Sequence, residues 1–252
     1  MYKKNKIVIL IPAYNTEKEI NDVFRELKEN KRYFDEIIIL DDGSTDSTFH
    51  KILSIKKLWK YQEKITILKH KNNLGYGAAQ KRLFESFLKH EGDIGILIHA
   101  DNQYPPKYIK HIVRSIISNK NDIVLGSRFF DNLRYYYQMP VYKIIGNKLL
   151  TKLENKILGS NLTEFHTGLR GYSRKAINTI NFSEFSDFFI FDSEILFQAH
   201  EKGLQIGEIP VYAKYGEIIS HLSSVKYGIR IILLCFRYLL RKIVNFKKNR
   251  SR

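Results

Sequence analysis

Three polar side chains at alternate positions follow a short apolar run near the middle of the chain. The run covers residues 94–98, the length of a buried strand, and His99, Asp101 and Gln103 come directly after it. Alternate residues of an extended chain point the same way, so we expect these side chains on one face. Mg²⁺ and Mn²⁺ bind carboxylate oxygens and keep positions for phosphate oxygens, and Mn²⁺ also accepts imidazole. The spacing predicts a divalent cation with a bound diphosphate; the alternative is an ordinary surface turn.

The segments around this run alternate between strand and helix. Buried strands are predicted at residues 7–11, 36–40, 65–68, 94–98 and 122–128, with a helical segment between each and the next. This alternation predicts an α/β fold, with a parallel sheet covered by helices on both faces. The carboxyl ends of parallel strands lie at one edge, where open α/β folds bind ligands. We therefore expect the polar and glycine-containing turns after the first strands to lie beside the cation segment.

Beyond Arg128 the alternation weakens. The patterns predict a helix at 142–158, a strand-like segment at 163–172, a helix from Phe191 to Gly203 and a strand at 205–211. We expect one large domain over residues 1–225 and a separate C-terminal segment at 226–252.

The C-terminal segment has the pattern of a basic amphipathic helix. Its apolar stripe comprises Ile229, Ile232, Leu233, Phe236, Leu239, Leu240 and Ile243. Its flanking basic residues are Arg230, Arg237, Arg241, Lys242, Lys247 and Lys248. Such a helix typically lies on an anionic membrane surface. The alternative is that the helix packs back on the large domain.

Composition narrows the class of protein. The 42 Lys and Arg against 26 Asp and Glu give a net charge of +16, which favours a polyanionic partner. No paired Cys/His ligands or aromatic RNA-binding pattern occur, so no nucleic acid is expected. The single cysteine, Cys235, excludes an internal disulfide and a cysteine metal cluster. No leader pattern and no run of about eighteen uncharged apolar residues occur. We expect a cytoplasmic protein, peripheral at the inner face of the membrane.

Five motifs in order resemble the family 2 inverting glycosyltransferases, which have a GT-A fold. They are residues 12–15 (Pro-Ala-Tyr-Asn), 41–46 (Asp-Asp-Gly-Ser-Thr-Asp), 73–77 (Asn-Leu-Gly-Tyr-Gly), 99–103 and 126–128 (Gly-Ser-Arg). Residues 167–172, Glu194 and 206–211 narrow the resemblance to the dolichyl- and polyprenyl-phosphate sugar synthases. The resemblance covers residues 5 to 225. It implies a Rossmann-like, mostly parallel sheet with helices on both faces, followed by the amphipathic helix.

The resemblance also implies a site for a nucleotide-diphosphate sugar. Its donor-binding residues would be Pro12, Ala13, Tyr14, Glu17, Leu40, Asp42, Gly75, Ala100, Asp101 and Arg128. Asp42 would accept hydrogen bonds from base or ribose, and Asp41 would hold the turn. The family often has Glu directly after the Asn, whereas here Thr16 precedes Glu17.

At the metal motif the family's Asp-x-Asp is replaced by His99-Ala-Asp101. The resemblance makes Asp101, His99 and Gln103 the metal-side residues for Mg²⁺ or Mn²⁺, with Asp101 the main ligand. His99 would either bind the cation or contact the diphosphate or sugar.

Further residues would act on the reacting groups. Arg128 and Arg170 resemble family arginines near the diphosphate or acceptor phosphate, where guanidinium groups suit phosphate oxygens. Asp192 is a candidate base, although a helix N-cap explains it equally well, and His166 is a lesser candidate. Lys214 and His221 stand where the lipid-phosphate synthases have a late Arg and Lys.

The expected activity is transfer of a sugar, with inversion, to a polyprenyl-phosphate-type lipid at the cytoplasmic membrane face. One alternative acceptor is a hydroxyl of a cell-surface glycan or of its lipid-linked precursor. A phosphate oxygen is already a nucleophile, whereas a hydroxyl needs a base. An alternative of another class is a non-catalytic protein that binds a nucleotide sugar at the membrane surface.

Overall fold

Seven strands form one mixed sheet. A computed structural model describes residues 5–60, 62–130, 139–214 and 224–250, with the side chains of the last range described to residue 242. The strands are β1 (Ile7–Ala13), β2 (Glu36–Asp41), β3 (Ile65–Lys69), β4 (Ile94–Leu97), β5 (Ile123–Ser127), β6 (Arg170–Ser173) and β7 (Ile206–Pro210). Their order in the sheet is β3-β2-β1-β4-β6-β5-β7.

The sheet is parallel except at β6. Strands β3, β2, β1 and β4 pair in parallel, as do β5 and β7, whereas β6 runs antiparallel to both β4 and β5. The predicted mostly parallel sheet is confirmed. The strand-like segment expected at 163–172 is regular only from Arg170, and residues 163–169 form an irregular stretch beside the sheet edge.

Helices cover both faces of the sheet. They are α1 (Ile20–Glu29), α2 (Thr48–Leu58), α3 (Tyr76–Lys89), α4 (Ile109–Ser118), α5 (Val141–Leu158), α6 (Arg174–Thr179), α7 (Phe191–Glu201) and α8 (Ser224–Arg250). Strand β1 is buried on both sides because its residues alternate between two cores. Ile9 and Ile11 pack in the core that contains α1 and α4, while Val8 and Leu10 pack with α3 and α7.

Helix α8 packs on the domain with one face and exposes another. Ile231, Cys235 and Tyr238 are buried in the core beside α3 and α7. The stripe named from the sequence is the outer face: its described members Ile229, Ile232, Leu233, Phe236, Leu239 and Leu240 are all exposed. The sequence alternative that this helix packs back on the domain therefore describes its inner face, which uses a second apolar row. The named stripe stays on the outside. The division at residue 225 stays a prediction. No helix in the described ranges is both long and apolar enough to cross a bilayer.

Candidate functional site

A cleft of about 1080 Å³ opens at the carboxyl ends of β1, β2 and β4. This is the edge at which open α/β sheets bind ligands. The residues singled out in the sequence that line it are Pro12, Ala13, Tyr14, Glu17, Asp42, Gly75, His99, Ala100, Asp101, Gln103, Arg128, His166, Asp192 and Lys214. The chain thus brings the candidate donor and metal residues together in one cleft, while His221 lies outside the described residues.

Leu40 does not belong to this lining. Its side chain is fully buried in the core formed with α3 and α7. The Leu40 side chain therefore does not reach the cleft, and the donor contact of Leu40 stays a prediction.

The loops after β1 and β2 are joined by hydrogen bonds. The Asn15 amide N–H donates to Ser44 Oγ at 3.0 Å, and Asn15 Oδ1 accepts from the Thr45 amide at 2.9 Å. Glu17 Oε2 accepts from the Ser47 amide at 3.0 Å. Two loops that meet the cleft are thereby fixed relative to each other, and Glu17 takes part in that fixation.

Asp42 holds the loop before α3. Its carboxylate accepts hydrogen bonds from the amides of Leu74 and Gly75, both at 3.0 Å, and lies 2.7 Å from His70 Nδ1. Asp41 is fully buried, and neither of its carboxylate oxygens has a hydrogen-bond partner among the described residues. The expectation that Asp41 holds the turn is wrong, since Asp42 does so while also lining the cleft.

Gly75 allows a close approach between two chain segments. Its φ is +104°, and a Cβ there would lie 2.5 Å from the Asp187 carbonyl oxygen. The Gly77 amide donates to that same oxygen at 2.8 Å. This contact places Phe189 against Tyr76, with ring centroids 5.0 Å apart, at the wall of the cleft.

The cation segment turns after β4 and does not stay extended. Strand β4 ends at Leu97, Asn102 has φ +54°, and Asp101 Oδ1 accepts from the Gln103 amide at 3.0 Å. The expectation of strict alternation on one face is therefore wrong. His99, Asp101 and Gln103 nevertheless all line the cleft, because the turn folds them around its floor.

His99 is oriented by a tyrosine and a carboxylate. Tyr76 Oη lies 3.0 Å from His99 Nε2 and 2.9 Å from Asp192 Oδ2. A carboxylate only accepts, so Tyr76 donates to Asp192 and accepts from His99. His99 Nε2 therefore carries a hydrogen. The ring also packs on Gly168, where a Cβ would lie 2.6 Å from His99 Cε1.

Asp192 is occupied by several donors. Besides Tyr76, its carboxylate accepts from Gln80 Nε2 at 2.9 Å and lies 3.5 Å from the Arg170 guanidinium. Burial, reinforced by the Asp192 charge, raises the pKa of Tyr76 well above its ordinary value. Tyr76 thus stays a neutral donor to Asp192.

Arg170 is fully buried below the cleft. Its guanidinium donates to the carbonyl oxygens of Phe165, Thr167 and Asp192 at 2.8, 2.9 and 3.1 Å. Burial opposes its charge, but the adjacent Asp192 holds the pKa of Arg170 above its ordinary value. This arrangement does not provide the predicted contact between Arg170 and a phosphate. The Arg170 guanidinium supports Asp192 instead.

Arg128 is paired with Glu164. Its amide donates to Glu164 Oε2 at 2.7 Å and its Nε donates to Glu164 Oε1 at 2.8 Å, with a further contact from Nη2. Nη2 also donates to the His166 carbonyl oxygen at 2.9 Å. Arg128 lines the cleft but is only 6% exposed. Its guanidinium anchors the 163–169 stretch, so the expected phosphate contact would have to compete with a carboxylate.

Both ring nitrogens of His166 lie close to polar side chains. Its Nδ1 lies 2.8 Å from Tyr227 Oη, and its Nε2 lies 3.1 Å from Glu154 Oε2. Its side chain is 4% exposed and that of Glu154 is fully buried. Burial, with the Glu154 charge, raises the pKa of Tyr227 well above its ordinary value. This ring connects α5 to α8, and the arrangement does not favour the expected role of His166 as a base.

Four residues of this site were not singled out from the sequence: Tyr76, Gln80, Glu164 and Tyr227. Tyr76 lies between two glycines in the 73–77 motif, and this position is the sequence feature that could have indicated it as a site residue. Glu164 and Arg128 are 36 residues apart, so no local sequence pattern indicates that they form an ion pair.

Comparison with known proteins identifies relatives of this chain. The relatives include the UDP-N-acetylglucosamine–dolichyl-phosphate N-acetylglucosaminyltransferase of Methanococcus voltae, 30% identical over 247 residues, covering 94% of this chain and 96% of the relative. They also include the low-salt glycan biosynthesis hexosyltransferase Agl6 of Haloferax volcanii, 28% identical over 225 residues, covering 88% of this chain and 51% of the relative.

A solved structure has the same fold. Glucosyl-3-phosphoglycerate synthase from Mycobacterium tuberculosis, in complex with Mn²⁺, uridine diphosphate and phosphoglyceric acid, superposes with a TM-score of 0.64 at 17% identity, covering 92% of this chain and 78% of that chain. The family model described as glycosyl transferase family 2 matches residues 8–180. With a GT-A-like sheet, a cleft at its carboxyl edge and this match over most of the chain, the protein belongs to glycosyl transferase family 2.

Proposed function

We propose that the protein transfers a sugar, with inversion, from a nucleotide-diphosphate sugar to a polyprenyl-phosphate-type lipid at the cytoplasmic face of the membrane. The choice of a phosphate acceptor rests on the hydrogen bonds that the Asp192 carboxylate already makes. Its carboxylate is bound by Tyr76 and Gln80 and lies beside Arg170, so it is poorly placed to take a proton from a hydroxyl. A phosphate acceptor requires no such base. The Methanococcus voltae relative, named for a dolichyl-phosphate acceptor, supports the same choice.

The reaction balances without a proton transfer. An oxygen of the deprotonated acceptor phosphate attacks the anomeric carbon and forms the new carbon–oxygen bond. The bond from that carbon to the donor diphosphate breaks, and its electron pair leaves with the nucleoside diphosphate. Attack from the side opposite the leaving group inverts the anomeric centre.

A divalent cation fits at Asp101. The described residues contain no group of three His, Cys, Asp or Glu side chains that would form a complete metal cage. Mg²⁺ and Mn²⁺ are commonly held by one or two carboxylates together with substrate phosphates. Asp101, with Gln103 and His99 as further cleft-lining groups, would hold such a cation against the diphosphate. When bound, the cation would stabilise the charge that develops on the departing diphosphate. The Mn²⁺ and uridine diphosphate of the mycobacterial structure support this arrangement.

The outer face of α8 suits an anionic membrane surface. It combines the exposed apolar residues Ile232 and Phe236 with the exposed basic residues Arg230, Arg237 and Arg241. Apolar burial and attraction to anionic headgroups together favour binding in the plane of the interface. This contact would place the enzyme beside a lipid acceptor.

A donor and acceptor screen tests the proposed function. Nucleotide sugars are first ranked by thermal shift, and transfer is then measured with polyprenyl phosphate or polyprenol in vesicles, with Mn²⁺, Mg²⁺ or a chelator. We expect a sugar-phospholipid product with polyprenyl phosphate only, lost with the chelator, and an inverted anomeric configuration by NMR. Transfer to hydroxyl acceptors alone would favour the glycan alternative. Donor binding without release of nucleotide would favour a non-catalytic binding protein.

A further inference from the structure

Helix α5 forms one wall of the cleft. Lys143, Gly146, Asn147 and Leu150 all line the cleft, at the i, i+3, i+4 and i+7 spacing of one helix face. A Cβ at Gly146 would meet nothing within 4 Å, so there is open space one turn beyond Lys143. This wall faces a cavity large enough for a ligand besides the donor.

The charges of the cleft single out Lys143. Arg128 is paired with Glu164, and Lys214 Nζ lies 2.6 Å from Glu26 Oε1. Within the described part of the chain, the Lys143 ammonium has no hydrogen-bond or ion-pair partner, although the residue is only half-exposed. A further lysine of the lining, Lys18, lies between Glu17 and Glu19 after β1. Lys143 is therefore the cation on the α5 wall that is available to an anion.

The opposite side of α5 is apolar and open. Val141, Ile145 and Leu149 are 70%, 54% and 64% exposed. The inner residues of α5 pack beside α8, where Gly228 would place a Cβ 3.9 Å from Leu150. Helices α5 and α8 thus pack together, and each of them exposes an apolar row. A ligand with an anionic head at Lys143 would meet Leu150 inside the cleft, and its apolar chain would reach the outer apolar row where the cleft opens.

We propose that Lys143 binds the phosphate of the lipid acceptor and that the acceptor's chain leaves the cleft along α5. This inference rests on the proposed function and names its acceptor subsite. Lysine supplies a compact charge with three donors, which suits a phosphate that must arrive, react and depart.

The test compares binding of a soluble lipid phosphate with binding of its alcohol. Farnesyl phosphate and farnesol are titrated into the full chain and into Lys143→Ala, Lys143→Arg and Lys152→Ala. Lys152 lies on the same helix but is exposed and outside the cleft lining, so it is the matched control. We expect Lys143→Ala to weaken farnesyl phosphate binding by about tenfold or more, as for loss of a hydrogen bond to a charged group. Farnesol binding should not change, Lys143→Arg should restore most of the affinity, and Lys152→Ala should match the original chain.

Two further measurements distinguish a failure of this inference from a failure of the proposed function. The affinity for the nucleoside diphosphate selected by the donor screen should stay within about twofold in Lys143→Ala, because the expected effect concerns one charged contact on the acceptor side. Unchanged binding of farnesyl phosphate, or an equal loss of farnesol or nucleotide affinity, would overturn the assignment of Lys143. The proposed function would fail instead if polyprenyl phosphate received no sugar, whatever Lys143 binds.

Discussion

At the scale of single residues, His99 is the position where this chain departs from the carboxylate of the family motif. Its Nε2 hydrogen is directed to Tyr76 Oη, and Tyr76 in turn donates to Asp192. This relay leaves Nδ1 as the atom with which His99 would meet a cation or a donor oxygen. Asp192 accordingly acts on the site by positioning His99 through Tyr76.

Replacing Tyr76 by Phe tests that relay. The variant removes one hydroxyl while keeping the stacking on Phe189, so we expect kcat to fall about tenfold and the fold to lose only about 1 kcal/mol. The nitrogen chemical shifts of His99 should also show that Nε2–H is no longer the fixed tautomer. Tyr33→Phe, outside the cleft lining, is the control. A fixed Nε2–H signal in Tyr76→Phe would contradict the relay.

Asp101→Asn tests the cation site. It preserves shape but removes the negative charge that would hold the cation, so we expect kcat/KM to fall about a hundredfold or more. Mn²⁺ binding measured by electron paramagnetic resonance with nucleotide present should weaken in parallel. Glu19→Gln, which removes another carboxylate of the cleft lining, should leave Mn²⁺ binding unchanged. Equal losses in both variants would mean that general charge, and not Asp101, attracts the cation.

At the scale of elements, two buried guanidinium groups attach the irregular 163–169 stretch to the sheet. Arg128 follows β5 and fixes Glu164, while Arg170 begins β6 and holds the carbonyl oxygens of Phe165 and Thr167. These two guanidinium groups act as supports of the cleft.

Glu164→Gln should be strongly destabilising. The change leaves the Arg128 charge buried without its partner, and breaking such a pair costs about 3–5 kcal/mol. Urea denaturation measures the free energy of unfolding. The exposed Arg82–Glu85 pair is the control, and Glu85→Gln should change stability by less than about 1 kcal/mol. A similar small effect at Glu164 would show that the pair is not a structural support.

Cys235 reports whether α8 stays packed. Burial, reinforced by the Glu154 charge, raises the pKa of the Cys235 thiol to about 12. Near pH 8 the group is therefore protonated and inaccessible, and it should react slowly with a disulfide reagent, faster as pH rises and fastest in urea. Anionic vesicles should leave the rate low, because α8 would bind them through its outer face. Acceleration by vesicles would mean that α8 leaves the domain on the membrane.

At the scale of the whole molecule, the net charge of +16 and the outer faces of α5 and α8 give the protein a basic surface with exposed apolar rows. The cleft opens beside the same helices, since α5 contributes to both. Under the proposed function, sugar donor and lipid acceptor would approach from the aqueous and membrane sides of one wall.

Vesicle binding should depend on both charge and apolar contact. Binding to anionic vesicles should weaken as salt rises, because the Debye length falls from about 10 Å at 0.1 M to about 3 Å at 1 M. Ile232→Ser with Phe236→Ser should reduce binding further in a sedimentation assay. Leu58→Ser is the control, as Leu58 is 85% exposed on α2, distant in the chain from α8. Equal binding of all variants would contradict docking through α8.

The sequence by itself determined the strand–helix alternation, the cleft at the carboxyl edge and the donor and metal candidates that line it. The first five buried strands alternate with helices, which favours a parallel sheet, so the turns after β1, β2 and β4 are expected at one edge. Tyr14, Asp42 and Asp101 could therefore be placed together before any coordinates were known. The basic helix at the C-terminal end was equally readable from its periodicity.

Only the tertiary structure decided which charges pair and which helix faces are covered. Arg128 with Glu164, Arg170 with Asp192, and His166 with Glu154 and Tyr227 join residues from different elements. A sequence pattern shows that a guanidinium is present but not which carboxylate lies within hydrogen-bond distance, because that depends on how remote segments pack. The same holds for α8: two apolar rows are present, and the shape of the domain selects the one that is buried.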